Sequence, residues 1–192
     1  MRGRRAFVGG SIVLAAFPLL AAKSPPPPKV GAIRWSGPGH DLHGYMAIPA
    51  KAHGPQPAIL VIPDGAADTF ALGLTDALAL AGFVACVAKA PLSFDEAAAT
   101  LRWLGTNRYA TGRVGAVGVG AGAAIAQRIA ATGLLECAVL FDGIEGKAEE
   151  PNLLHLPILA ATTAAALYAS AWQRAIAFFA RRLRPDQVRS SR

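Results

Sequence analysis

Histidine, cysteine and acidic residues are scarce in this chain, and the shortages limit what it can be. Its 192 residues include four His, two Cys and 12 Asp plus Glu, against 19 Lys plus Arg. Two cysteines are too few for the disulfide framework of a small secreted scaffold. Charged residues make up only 16% and apolar residues 53%, which favours one packed globular domain and argues against disorder.

The excess of cations lies mainly at the two ends of the chain, whose formal net charge is +7. The middle has no basic stripe interleaved with aromatic residues, so we expect no nucleic-acid partner. The basic tail, 186–192, is typical of a solvated segment after a helix C-terminus, where cations are favoured, and a phosphate-binding tail is the alternative. The terminal arginines are Arg2, Arg4, Arg5, Arg174, Arg181, Arg182, Arg184, Arg189 and Arg192.

Residues 1–22 predict a bacterial export signal of twin-arginine type. Arg4 and Arg5 precede an apolar run that extends to Ala22 and ends in small residues. We expect cleavage before Lys23, a periplasmic location, and contact with a membrane only through this signal. A Sec-type signal and an uncleaved anchor are the alternatives. Residues 23–29 then form a stiff Pro-rich linker.

Residues 30–185 alternate between strand-like and helix-like segments. A Gly-Pro turn joins 32–35 to 42–48 in an opening hairpin, and capping and turn residues bound the later elements. This order predicts an α/β fold with a mainly parallel sheet, helices on both faces and an N-terminal antiparallel hairpin. The later predicted strands are 57–63, 83–88, 114–117, 137–141 and 156–160, and the predicted helices are 68–81, 93–104, 121–132 and 165–183.

Ligands of such sheets bind at the carboxyl ends of the strands, so the turns at that edge are the candidate site. Those turns contain small, polar and glycine residues in a chain otherwise rich in apolar ones. The residues that we predict to line a pocket there are Asp64, Pro91, Val119, Gly122, Asp142 and Thr162.

Five segments, 44–49, 58–65, 81–85, 112–118 and 171–179, occur in one order along the chain. Together they resemble a dienelactone hydrolase of the α/β-hydrolase superfamily, over roughly residues 30–183. The resemblance implies a sheet in which strand 83–88 lies outside 58–63, followed by 114–117 and 137–141. It also implies ester or lactone hydrolysis by a Cys or Ser nucleophile with a His and an Asp, without a metal or cofactor.

The catalytic residues that the resemblance implies are missing. Gly120, in Gly118-Val119-Gly120-Ala121-Gly122, stands at the nucleophile position of the family's elbow. No His follows His155, and 160–166 contains no carboxylate, so the triad His and Asp lack counterparts. Oxyanion-type backbone donors would remain at Ala121 and near Gly65. We predict a degenerate, non-catalytic relative of this family that binds a small carbonyl or carboxylate ligand. The sequence does not predict its oligomeric state.

Two other functions stay open. The first is an active carboxylic-ester or lactone hydrolase that uses groups we have not recognised. The second is a dinucleotide-binding protein, since Gly118, Gly120 and Ala123 match a G-x-G-x-x-A fingerprint and Asp142 ends the next strand. That fingerprint normally opens its domain, whereas two strand–helix units come first here.

The strand order implied by the resemblance separates the two cysteines. Cys86 and Cys137 would lie on buried strands with two other strands between them, roughly 14 Å apart, which is about twice the reach of a disulfide. We therefore predict two free, buried thiols that act as small apolar side chains.

Overall fold

One mixed sheet organises the residues that the computed structural model describes, 26–141, 158–161 and 165–184. Its strands are β1 (Lys29–Ser36), β2 (Asp41–Ile48), β3 (Gln56–Ile62), β4 (Val84–Ala88), β5 (Ala110–Val119), β6 (Cys137–Phe141) and β7 (Ile158–Ala161). The helices are α1 (Thr69–Leu80), α2 (Phe94–Gly105), α3 (Ala121–Ala130) and α4 (Ala165–Leu183).

The sheet has the order β1-β2-β4-β3-β5-β6-β7. β1 pairs with β2, and β2 with β4, in antiparallel fashion, while β4, β3, β5, β6 and β7 are parallel. This confirms the predicted fold class, the opening hairpin and the position of 83–88 outside 58–63. Because β3 and β5 separate β4 from β6, Cys86 and Cys137 are free, and both are fully buried.

Helices cover both faces of the sheet, and β3 shows how its residues divide between them. Leu60 packs with the layer that contains α2 and α3, whereas Ile59 and Val61 pack with the layer that contains α1 and α4. All three side chains are fully buried. The continuous apolar run predicted for a strand covered on both faces therefore has its structural reason in these two layers.

The hairpin of β1 and β2 is attached to the helices on both faces. The Trp35 indole N–H donates to Thr100 Oγ1 of α2 at 3.0 Å, and its ring stacks on Trp103 at 5.1 Å between centroids. On the opposite face, the Tyr45 hydroxyl donates to Asp76 Oδ1 of α1 at 2.6 Å. Burial, together with Asp76, raises the pKa of Tyr45 to about 12, so this hydroxyl stays a donor at any physiological pH.

Capping residues fix where α1 and α2 begin. Asp68 caps α1 by accepting from the Ala71 N–H at 2.8 Å. Ser93 and Glu96 form the capping box expected at the start of α2. The Ser93 backbone N–H bound to the Glu96 carboxylate, with the Ser93 side chain and His40, lowers the pKa of Glu96.

The largest differences in strand length from the predictions are at β1 and β5, and pairing explains both. β1 begins at Lys29 rather than Ala32, because Lys29 pairs with Ile48. β5 begins at Ala110 rather than Val114, because Ala110 pairs with Gln56 next to an irregularity in β3. The polar residues at the start of β5 concealed it from an apolar pattern. β7 is described over Ile158–Ala161, and 156 and 157, which were predicted to belong to it, lie outside the described residues.

Arg184 differs from the solvated arginine expected after the last helix. Its guanidinium lies over the ring of Phe83, 4.2 Å from the centroid, and donates to the Gly82 carbonyl. Burial lowers the pKa of this arginine. Arg184 thus joins the end of α4 to the turn between α1 and β4.

In the described part of the chain, no helix is long and apolar enough to cross a membrane.

The close approach of Trp35 and β4 to Gly44 gives a stability prediction. A Cβ at Gly44 would collide with the Val87 carbonyl oxygen and lie 2.8 Å from the Trp35 ring, whereas a Cβ at Gly31 would meet nothing within 4 Å. We expect Gly44→Ala to lower the free energy of unfolding by about 1–3 kcal/mol, and Gly31→Ala to leave it nearly unchanged. Urea denaturation of both variants measures the difference, and equal losses would contradict the packing of the hairpin.

Candidate functional site

A single glycine forms the turn between β5 and α3. Gly120 has φ 55° and ψ −125°, a backbone conformation that costs an L-residue of order 1–3 kcal/mol. Its N–H donates to the Phe141 carbonyl at 3.0 Å, and its carbonyl accepts from the Ala123 N–H at 3.0 Å. These two bonds fix the turn between β6 and the first residues of α3.

The two flanking glycines are required by close packing of backbone. A Cβ at Gly118 would lie 2.5 Å from the Ala123 Cα atom, and one at Gly122 would collide with the Ile62 carbonyl. The strand, the turn and the helix can cross this closely only if both positions lack a side chain. Glycine at 118 and 122 therefore needs no bound ligand as its explanation.

The carboxylate of Asp64 fills the space above Gly120. Asp64 lies in the loop after β3, and its Oδ1 atom accepts from the Ala121 N–H at 2.7 Å. A Cβ at Gly120 would lie 2.5 Å from Asp64 Cγ and 2.8 Å from Asp64 Oδ1. The carboxylate thus stands where a nucleophile would begin. It also uses the backbone donor that we predicted for an oxyanion, at a helix N-terminus that favours negative charge.

A groove of about 730 Å³ lies beside this loop, at the carboxyl end of β4. β2 is antiparallel to β4, so the first residues of β2 come to the same edge as the last residues of β4. The floor is apolar and buried, formed by Leu42, Ala88 and Leu92. Its volume is in the range typical of small-molecule sites.

The charges around this groove leave a net cationic rim. Asp41 pairs with Arg34 at 3.3 Å, and Glu96 pairs with His40 at 3.1 Å. Within the described ranges, no ion-pair partner faces the exposed Lys89 side chain, which lines the groove beside His43. An anion with an apolar body therefore matches both the floor and the rim.

Backbone bonds connect the groove to the Asp64 loop. The Lys89 N–H donates to the His43 carbonyl at 2.8 Å, and the Lys89 carbonyl accepts from the Ala67 N–H at 3.2 Å. Ala66, two residues after Asp64, lines the groove itself. The turns after β3 and β4 are therefore held together with the start of β2.

The structure brings only some of the predicted site residues together. Asp64 contacts Ala121, and Pro91 lines the groove. Gly65 and Val119 are half-buried in the same turns, and Gly122 is buried. Asp142, Thr162 and His155 lie outside the described residues.

The sequence predicted Pro91 at this groove but did not place His40 and His43 there. The signal was available, since an antiparallel β2 beside β4 must bring the start of β2 to the carboxyl edge. Among the residues with described positions, no cluster of three or more His, Cys, Asp or Glu could hold a metal ion.

Neither cysteine is arranged as a nucleophile. Burial raises the pKa of the Cys86 thiol far above its ordinary value, and burial, with Glu136, raises that of Cys137 to about 12. Thiols in this state carry almost no thiolate at neutral pH, so they behave as apolar side chains.

Comparison with solved structures identifies the fold. A dienelactone hydrolase-like promiscuous phosphotriesterase from metagenomic libraries superimposes with a TM-score of 0.69 at 16% identity, covering 82% of this chain and 99% of that one. The chain has the fold of dienelactone hydrolase-like proteins. No protein-family model and no curated protein matches the sequence.

Two further solved structures agree with this fold. The first is a putative dienelactone hydrolase from Klebsiella pneumoniae, with a TM-score of 0.56 at 18% identity over 69% of this chain and 72% of that one. The second is a thermostable esterase from Pseudomonas putida, with a TM-score of 0.54 at 18% identity. The alignment covers 65% of this chain and only 46% of the esterase.

The contact between Asp64 and Gly120 predicts non-additive stability changes. Gly120→Ser should lower the free energy of unfolding by about 2–4 kcal/mol, from steric conflict with Asp64 and from positive φ. Asp64→Ala alone should cost about 1 kcal/mol, because the Ala121 N–H loses its acceptor. In the double variant the conflict is absent, so the loss should be smaller than the sum of the two single losses.

Thermal or urea unfolding of the four proteins completes this double-mutant cycle. Gly120→Ser combined with Asp95→Ala is the matched control, because Asp95 lies on the exposed start of α2. Strict additivity in the Asp64 cycle would show that the carboxylate does not occupy the space above Gly120.

Proposed function

We propose that this chain is an exported, non-catalytic binding or interaction module built on a dienelactone hydrolase-like fold. The observation that carries the proposal is the Asp64 carboxylate, which lies above Gly120 and accepts from the Ala121 N–H. The position that holds the nucleophile in the family has no side chain here, and its space already contains an anion.

Acyl transfer at this turn would meet two obstacles. It needs an attacking heteroatom, and Gly120 supplies none. It also needs free N–H donors for the oxyanion that develops on the substrate, while the Ala121 N–H is bound to Asp64 at 2.7 Å. A substrate carbonyl would have to displace a charged acceptor from a helix N-terminus, which favours that charge.

The groove at the end of β4 is the proposed ligand site. Its apolar floor would cover the body of a small carboxylate or carbonyl compound, and Lys89 would face the ligand's negative oxygen atoms. Lys89 lies on a loop bonded to both β2 and the Asp64 loop, which limits its movement. The groove can therefore bind a ligand without any contribution from Gly120.

An active ester or lactone hydrolase is the second candidate. The support for it is the fold, which the chain shares with a promiscuous phosphotriesterase and with esterases. The groups for such a reaction would have to come from outside the filled turn, for example from the imidazole of His40, which Glu96 orients at 3.1 Å. This pair is the one described imidazole–carboxylate contact at the groove.

The dinucleotide hypothesis has less support at the same turn. A pyrophosphate at the start of α3 would meet the Asp64 carboxylate, and two like charges in contact repel. The glycines of the fingerprint are also accounted for by the packing of Gly118 on Ala123 and of Gly122 on Ile62.

Export and processing belong to the same proposal. Their support is the sequence of residues 1–22, with Arg4 and Arg5 before an apolar run and small residues before Lys23. A mature chain that begins at Lys23 in a periplasmic fraction is the expected product. An intact N-terminus in the cytoplasm would contradict this part of the proposal.

Turnover assays separate the non-catalytic module from the hydrolase. We expect hydrolysis of p-nitrophenyl acetate, a lactone panel and a phosphotriester to remain at the uncatalysed rate. The reason is the missing heteroatom at Gly120 together with the occupied Ala121 donor. Turnover above background that disappears in His40→Gln, with unchanged unfolding, would favour the hydrolase instead.

Titration tests the groove, with short-chain and aromatic carboxylates as probes and amide chemical shifts as the readout. Binding should move resonances of the β4–α2 loop, and Lys89→Gln should weaken it about tenfold through the loss of one charged contact. Lys51→Gln is the matched control, because Lys51 is exposed and does not line the groove. Equal affinities for both variants, or micromolar binding of NAD or FAD only, would contradict the proposal.

A further inference from the structure

β1 is an outer strand of the sheet, and within the described residues nothing pairs with its outer edge. Among the strands that the structure describes it is hydrogen-bonded to β2 alone, and six of its eight residues are exposed. Its register with β2 runs from Lys29 to Ser36 without a shift, and the strand contains no proline. Natural edge strands usually avoid further pairing through bulges, prolines, short length or charge. Here the cations Lys29 and Arg34 are the only such device within β1.

The outward backbone groups of β1 can be assigned from β2. The His43 carbonyl accepts from the Lys89 N–H, so the backbone of His43 faces β4. Arg34 lies opposite His43, and the opposed residues of an antiparallel pair alternate between bonded and non-bonded. Every second residue of β1, counted from Arg34, therefore directs its N–H and C=O groups away from the sheet. These residues are Val30, Ala32, Arg34 and Ser36.

We infer that β1 pairs with β1 of a second copy of this chain, antiparallel about a twofold axis. In such a dimer the outward residues of one strand must bond to outward residues of the other, and all of these have even numbers. Two directly opposed residues must therefore have numbers whose sum is even. A twofold axis through Ile33 satisfies this condition and uses seven residues of each strand. It places Ile33 beside Ile33 of the copy, an apolar contact at a non-hydrogen-bonded position.

Side-chain size and charge favour this register over the one centred on Ala32. Gly31 falls opposite Trp35 of the copy, and the two positions do not collide, because Gly31 has no side chain and the Trp35 ring is buried against α2 of its own chain. Lys29 lies beyond the paired residues, and Arg34, which is paired with Asp41, faces Ala32. A register centred on Ala32 would instead place Lys29 opposite Trp35 and Arg34 opposite Val30.

Pairing would also cover apolar surface that is now in water. Val30 is 54% exposed and lies within the paired segment. The interface consists mainly of one strand from each copy, which belongs to the small and weak class of protein interfaces. The expected state is a reversible dimer that forms with rising concentration.

Disulfide trapping of the full chain tests the register. Ile33→Cys should give an intermolecular disulfide in high yield, because the two Cβ atoms would lie within disulfide reach on the axis. Ala32→Cys is the matched control: Ala32 is more exposed than Ile33, so random collisions would favour it. The buried Cys86 and Cys137 do not compete.

Ala32→Pro in the Ile33→Cys background supplies the second variant. It removes an outward N–H and leaves the bonds between β1 and β2 intact, as edge strands tolerate. Trapping and sedimentation as a dimer should both be lost in this variant, while unfolding stays cooperative. Association that survives Ala32→Pro, greater trapping at position 32, or a monomer at millimolar concentration would each overturn the inference.

Discussion

The hydrogen bond from the Ala121 N–H to Asp64 Oδ1 decides what the carboxyl edge of this sheet can do. A hydrolase of this fold leaves the start of the helix after its central strand open for an oxyanion. Here the acceptor is part of the chain, and it reaches Ala121 only because Gly120 has no side chain. The absence of a side chain at Gly120 and the position of the Asp64 carboxylate are therefore coupled, because both depend on the same space.

The backbone of the turn itself favours glycine at position 120 and an acceptor beside Ala121. A residue with a side chain at position 120 would hold a backbone conformation that glycine adopts at little cost. The orphan N–H at the start of α3 gains a charged acceptor from Asp64, which a helix N-terminus favours. Glycine at position 120, with Asp64 as the acceptor for Ala121, therefore stabilises the turn between β5 and α3.

Much of the fold could be predicted from local sequence signals. The β-branched run of β3, the Ser93–Glu96 capping box and the glycine turn before Ala121 each specify a structure within a few residues. The ends of β1 and β5 could not be predicted, because they depend on pairing with residues far along the chain, such as Lys29 with Ile48. Polar residues at a strand end give no apolar pattern to detect.

The candidate site was predicted less completely, for a related reason. The sequence shows that Gly120 lacks a nucleophile and that Asp64 follows a buried strand. That the two positions touch is a property of neighbouring parallel strands, β3 and β5, which a linear pattern does not contain. The cationic rim likewise depends on which acids already have partners, as Glu96 has His40. Ion pairing between residues far apart in the chain must be seen in three dimensions.

The amide resonance of Ala121 reports most directly on the central claim. Bound to a carboxylate, this proton should resonate downfield, and it should move upfield in Asp64→Ala but stay in place in Asp95→Ala. An Ala121 amide whose resonance is unchanged by Asp64→Ala would show that the carboxylate does not occupy the turn.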